Sequence, residues 1–253
     1  MELNFKTFGQ GEPLIIMHGL FGMLDNWQTL GKKWAEKYTV FLVDLRNHGK
    51  SPHSDTMDYP TMAEDIRHFM ESNWVYKAHI LGHSMGGKTA MQFAAMYPDM
   101  VEKLVVVDIA PKVYPERHNE IFDSLLSLDL SIDNRDDVEK HIRDSIKEED
   151  VVLFLMKSLS RNKEGGFRFK MNLPALKENY DKILGNIKMT EAYEGSALFL
   201  RGGNSSHVLE SDYPTIKEKF PEAKIQTIDG AGHWVHAEKP KELFNAVNQF
   251  LES

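Results

Sequence analysis

Cysteine is absent from this 253-residue chain. That excludes a disulfide framework and any thiolate metal site, and it leaves the redox compartment open. Long apolar runs are also missing; none approaches the ~20 residues that a bilayer-spanning helix needs, so no membrane partner is expected. The opening Met1-Glu2-Leu3-Asn4-Phe5-Lys6 has no basic stretch leading into an apolar one. A signal peptide is therefore not expected, and the cytoplasm is the expected location. An excess of positive charge is lacking too. The formal net charge of -8 argues against general nucleic-acid binding, although a local basic patch facing an anionic substrate remains compatible with it. What is there is ordinary for a globular protein, with 42% hydrophobic and 27% charged residues. The length suits one α/β domain, or one such domain with an inserted cap.

Short apolar runs mark the strands. Leu14-Ile15-Ile16-Met17 ends at His18-Gly19, Val40-Phe41-Leu42-Val43 at Asp44, His79-Ile80-Leu81 at Gly82, and Leu104-Val105-Val106-Val107 at Asp108. Runs that are apolar at every position fit strands buried on both faces, as in a parallel sheet. Residues 61–73 and 85–97 read as helices between them. This alternation implies βαβ units in a doubly wound, mostly parallel α/β sheet. From about Lys112 to Glu194 the pattern is helical and charged, with no convincing buried strand. The strand rhythm then resumes at Ala197–Leu200 and Ala223–Ile228, followed by an amphipathic helix from about Pro240 to Leu251. The expected organisation is a core of residues 1–111 and 195–253 with a helical cap at 112–194 over the strand C-terminal ends, where open α/β sheets bind ligands.

Gly82-His83-Ser84-Met85-Gly86 matches G-x-S-x-G between an expected strand and an expected helix. The motif needs that context: the serine sits on a sharp turn, small residues two positions either side avoid clashes, and the helix start offers N–H groups and positive dipole. Ser84 is the expected nucleophile. Two backbone N–H groups should face the developing oxyanion. Met85, directly after the nucleophile, supplies one. The other is expected from the loop Met17-His18-Gly19-Leu20-Phe21-Gly22, with Leu20 the first choice and Phe21 the fallback.

His233, in Gly230-Ala231-Gly232-His233-Trp234, is the expected general base, since the base comes last in chain order. The other histidines have structural readings: His18 and His83 within the other motifs, His48 as a loop brace, and His236 off the turn. The acid is less direct. The loop after Ala197–Leu200 reads Arg201-Gly202-Gly203-Asn204-Ser205-Ser206 and holds no carboxylate; Asn204 stands at a plausible acid position without a charge to offer. Asp108, ending the preceding strand, is the better candidate. Asp212 is the runner-up but reads as a helix start; Asp44 and Asp229 read as structural. Phe21 and Trp234, beside the two motif loops, are the expected substrate-binding side chains. Phe122, Phe154, Leu155, Met156 and Phe167 are cap candidates for the acyl site, against the plainer reading as core. Lys88, Arg117 and Lys157 are candidates to meet an anionic substrate, against the plainer reading as solvated charge.

Together these segments resemble the α/β-hydrolase superfamily and, within it, the YbfF-type esterases. The resemblance is carried by His18 to Gly22, Asp25-Asn26, Asp44 to Ser51, Gly82 to Lys88, Asp108-Ile109-Ala110-Pro111, Gly202-Gly203-Asn204-Ser205 and Gly230 to Pro240. The pairing of Asp-Ile-Ala-Pro with Gly-Gly-Asn-Ser, without a late acid, is its most specific part. It implies a Ser84-Asp108-His233 triad, a helical cap, and hydrolysis of short-to-medium acyl esters, extending to acyl-CoA thioesters. The chemistry of such a triad needs no cofactor and no metal. The short N-terminal region implies that the first strands of the eight-stranded plan are missing. Two other readings share these motifs: a cofactorless lyase or perhydrolase on the same fold, and a non-enzymatic sensor built on a hydrolase scaffold.

Overall fold

The computed structural model describes residues 1–253. In chain order the elements are β1 (Phe5–Phe8), β2 (Glu12–Met17), α1 (Gln28–Trp34), β3 (Tyr38–Val43), α2 (Tyr59–Ser72), β4 (Ala78–His83), α3 (Met85–Met96) and β5 (Val101–Val107). They continue with α4 (Asn119–Leu126), α5 (Arg135–Ser145), α6 (Glu149–Lys157), β6 (Leu159–Arg161), β7 (Phe167–Phe169), α7 (Leu173–Glu178) and α8 (Tyr180–Leu184). The chain closes with β8 (Ala197–Gly202), α9 (Tyr213–Lys219), β9 (Ala223–Ile228), α10 (Val235–Glu238) and α11 (Pro240–Leu251).

Seven strands form one sheet in the order β1-β3-β2-β4-β5-β8-β9, parallel except for β1. The apolar runs are its buried strands: Leu14 to Met17 and Leu104 to Val107 are almost wholly enclosed. Alternate side chains serve opposite faces. Leu14 and Ile16 join the core under α1 and α11, while Ile15 and Met17 join the core on the other side. The order reverses at β2, which lies between β3 and β4, so a crevice opens beyond the C-terminal ends of β2 and β4. Met17 pairs with Gly82, and His83 with Val107. That register brings the His18-Gly19 loop, the Ser84 turn and Asp108 to one edge.

Two elements depart from the sequence reading. β1 is an antiparallel edge strand, mostly exposed, whose Phe-Lys-Thr-Phe carries no apolar run. The inserted segment is not purely helical: β6 and β7 form a two-stranded hairpin among its five helices. Its strands are three residues each, too short for a period of two to register.

The apolar side chains of the insert, among them Phe122, Val138, Leu155 and Phe167, belong to the same continuous core as Ile15 and Met17. The insert is thus packed onto the sheet domain rather than hung from it. Lys88, on α3, adds a polar tie. Its buried ammonium donates to the carbonyls of Lys112 (2.8 Å), at the start of the insert, and of Leu184 (3.1 Å) and Gly185 (2.6 Å), at the end of its last helix. No helix is long and apolar enough to cross a membrane.

Candidate active site

Ser84 lies between β4 and α3 with φ 53° and ψ -120°, a conformation that costs a non-glycine residue of order 1–3 kcal/mol. The neighbours show why the turn is glycine-flanked. A Cβ on Gly82 would lie 2.1 Å from the Gly86 carbonyl, and one on Gly86 2.5 Å from the His18 carbonyl. The strain aims Oγ away from the sheet, where it donates to His233 Nε2 at 3.0 Å.

His233 is held from several sides. Its Nδ1–H donates to Asp108 Oδ2 at 2.7 Å. The loop carrying it is pinned by Glu238, whose carboxylate accepts from the N–H groups of Gly232 (2.6 Å) and Trp234 (3.1 Å). His83 Nε2–H donates to the His233 carbonyl at 2.9 Å. Asp108 is fully enclosed, and its backbone is itself left-handed at φ 50°. Besides His233 it accepts from Gly202 N–H at 2.8 Å and from the Ser205 hydroxyl. Burial pushes the Asp108 carboxyl up, against the hydrogen bonds from Ser205 and Gly202 and the nearby positive charge of Arg201. Burial pushes His233 below the ordinary histidine range, with His118, His236 and Arg117 acting in the same direction. A neutral imidazole whose proton is fixed on Nδ1 by a carboxylate presents a free lone pair to a hydroxyl, which is the requirement for a general base.

The other acid candidates are engaged elsewhere. Asp212 pairs with Lys112 at 2.5 Å and accepts from Leu209 N–H. Asp229 is exposed in a turn. Asp44 accepts from Leu24 N–H, Lys50 N–H and Asn4, holding the loop after β3. Asn204 is exposed and reaches Ala231 only through its backbone.

Two amides near Ser84 are free to meet an anion. Met85 N–H is the first of α3 and has no partner within the helix. Leu20 N–H bonds to no protein group, whereas Phe21 N–H donates to His48 Nε2 at 3.2 Å. The fallback donor is thus already occupied. His48 in turn donates from Nδ1 to the Arg46 carbonyl, and His18 bridges Gly19 O and Leu45 N–H. Both histidines are buried in the neutral form, their pKa values lowered by burial to about 3 and about 4 respectively.

Three spaces adjoin one another, two of them bordered by Ser84. An open crevice of about 820 Å³ is bordered by Asn26, Asp150, Leu153, Lys157, Trp234 and Glu238 among others. It shares Asn26, Phe154, Trp234 and His236 with an upper cavity of about 110 Å³ that holds Ser84, His233, Phe21 and Leu155. Beyond Ser84 lies an inner cavity of about 40 Å³, walled by Tyr59, Met85, Ile109, Tyr114, Tyr180 and Ile183. Of the cap candidates, Phe154 and Leu155 line the upper cavity. Phe122, Met156 and Phe167 are core instead, facing apolar neighbours. Lys88 is consumed by its three carbonyls, and Arg117 donates to Ser206 Oγ.

Sequence reasoning missed three side chains here. Ser205 reaches Asp108 from the loop that lacks a carboxylate; its place after Gly-Gly-Asn was the available signal. His207 stacks on His233, with ring centroids 3.5 Å apart and an interplanar angle of 14°. Its own pKa is lowered by burial to about 3. His118 borders both cavities. Asp108, His207 and His233 bring three possible ligand atoms within 4.8 Å of one another. The Nδ1 of His233 is a donor to Asp108 there, and that proton would have to leave before the nitrogen could ligate a metal.

Residues 12–240 match the model of the α/β-hydrolase fold family. The chain is 40% identical to Esterase YbfF of Escherichia coli over 99% of each chain. It is 36% identical to the sn-1-specific diacylglycerol lipase of Danio rerio, over 100% of this chain and 83% of that one. A solved structure of a marine microorganism esterase superposes with a TM-score of 0.96 at 41% identity, covering 98% of this chain and 99% of the other. The chain belongs to the α/β-hydrolase family and, within it, to the YbfF-type esterases.

Proposed function

We propose that the protein is a serine hydrolase of carboxylic esters, acting through Ser84, His233 and Asp108 with the Leu20 and Met85 amides as oxyanion donors. One observation carries the reading: the unbroken hydrogen-bonded line from Ser84 Oγ through His233 to the enclosed Asp108, beside two unpaired amides. His233 takes the Ser84 proton as Oγ attacks the ester carbonyl. The two amides hold the oxyanion, each worth ~2.7–4 kcal/mol of barrier in typical acyl-transfer sites. The alcohol leaves with the proton from His233, and water activated by the same histidine releases the acid.

The cavities suggest which part of the substrate goes where. His233 must reach the leaving oxygen and borders the upper cavity but not the inner one, so the alcohol belongs in the upper cavity and the acyl group in the inner one. At ~10–15 Å³ per water-sized group, 40 Å³ holds on the order of three methylene-sized groups beyond the carbonyl. Phe21 and Trp234 then flank the alcohol. Acyl-CoA thioesters use the same steps, and the crevice offers Lys157 but also Asp150 and Glu238, which does not favour a polyanionic leaving group. A panel of p-nitrophenyl esters and CoA thioesters from C2 to C12 tests this. Turnover should peak near C4, fall by C8, favour oxygen esters, and vanish in Ser84→Ala. No turnover on any member would overturn the hydrolase reading in favour of a lyase, perhydrolase or sensor.

A further inference from the structure

Exactly three residues border both the upper and the inner cavity: Leu20, Ser84 and His118. They form the waist of the binding space. Leu20 and Ser84 bracket the position of the scissile carbonyl, so the third residue at the waist faces the same ester group from the cap side.

The protonation of His118 follows from its partner. Tyr180 Oη accepts from the backbone N–H groups of Arg117 (3.2 Å) and His118 (3.1 Å), which uses both of its lone pairs. Its remaining interaction, with His118 Nδ1 at 2.7 Å, must therefore be donation from the hydroxyl. Nδ1 is then an acceptor, and a neutral His118 carries its proton on Nε2. Burial and the neighbouring Arg117 lower its pKa to about 4, so the ring is neutral near pH 7. No protein group meets Nε2. The ring is held in place edge-on to Phe21, with centroids 5.8 Å apart.

We infer that His118 Nε2–H donates a hydrogen bond to the bridging oxygen of the scissile ester, making it a catalytic residue selective for oxygen esters over thioesters. The carbonyl oxygen has its two donors in Leu20 and Met85; the bridging oxygen meets a donor in His233 only after that residue has taken the Ser84 proton, and its second lone pair is open to a further donor at the waist. When the tetrahedral intermediate collapses, the C–O bond breaks and its electron pair goes to that oxygen. His233 transfers the proton, and His118 keeps its own while stabilising the growing charge. Sulfur is a weak acceptor, so a thioester gains little from the same donor.

This rests on the reading of the protein as a serine hydrolase, and the test separates the two. Ethyl butyrate and S-ethyl thiobutyrate form the same butyryl-enzyme, so their kcat/KM values differ only in acylation. His118→Phe keeps the ring and removes the donor. It should lower kcat/KM about tenfold for the ester and less than twofold for the thioester, the size expected for one hydrogen bond. Tyr180→Phe, which frees the tautomer but keeps His118, should shift the ratio in the same direction by a smaller factor. An unchanged ester-to-thioester ratio in both variants, with wild-type turnover of ethyl butyrate intact, would overturn the inference alone. Failure of the wild type on both substrates would overturn the hydrolase reading and this inference with it.

Discussion

Replacing Asp108 with asparagine changes one atom and should stop the reaction while sparing the fold. The site is unusually tolerant of this exchange. Its φ of 50° lies in the left-handed region that asparagine also adopts. The side-chain oxygen can keep the Gly202 N–H, and the Ser205 hydroxyl can rotate to accept from the new amide. The NH2 then faces His233 Nδ1, which must become an acceptor. Its proton moves to Nε2, pointing at Ser84, and the base is lost. The imidazolium of the transition state also loses an ion-pair partner that touches it at 2.7 Å. At an effective dielectric of 20 a charge pair ~4 Å apart is worth about 4 kcal/mol, or roughly three orders of magnitude in rate. With the wrong tautomer added, kcat for p-nitrophenyl butyrate should fall by about 10³–10⁴. The melting temperature should move by only a few degrees. Asp212→Asn, which breaks an ion pair with Lys112 away from His233, should stay within about threefold of wild type. Activity of Asp108→Asn within tenfold of wild type, with the fold intact, would refute the assignment.

Three further outcomes follow from buried charge. Because burial lowers the pKa of His233, the acid limb of kcat/KM should lie below the ordinary histidine value of ~6.5, and a limb centred at or above pH 7 would contradict this. His18 and His48, lowered to about 4 and about 3, bind fewer protons folded than unfolded, so stability is full above pH ~6.5 and is lost as pH falls. At pH 5 each should have cost about 2 kcal/mol, visible as a falling denaturation midpoint between pH 7 and 5 that His48→Gln reduces. Lys88→Met should leave three carbonyls without their donor and lower stability by about 2–4 kcal/mol in urea denaturation; a midpoint equal to wild type would show the tie to be dispensable.

The parts of the fold legible in the sequence are those whose signal is local. Leu14–Met17 and Leu104–Val107 are enclosed on both sides, and an unbroken apolar run says so directly. Ser84 was legible because the turn constrains its neighbours to glycine, and Asp108 because the later loop holds no carboxylate. β1 escaped because an exposed edge strand needs no apolar run, and the β6–β7 hairpin because three residues are too few to show a period. Ser205, His207 and His118 escaped for a different reason. Each acts only because distant segments fold back to meet it: Ser205 on Asp108 across 97 positions, His118 beside Tyr180 across 62. Ser205 left one trace, its place after Gly202-Gly203-Asn204; for His118 and His207, residue type and spacing along the chain carry none.

The tie made by Lys88 has a consequence for how this architecture can diversify. All three of its acceptors are main-chain carbonyls, at Lys112, Leu184 and Gly185. A carbonyl is present whatever the side chain, so the anchor makes no demand on the identity of the residues it grips. The segment between those points can be rewritten, lengthened or exchanged, provided its two ends still arrive at the same spot. The helix that starts just after Ser84 thus offers a socket indifferent to the sequence it holds, and under the chemistry proposed above substrate range can drift through the inserted segment while Ser84, His233 and Asp108 beneath it stay fixed.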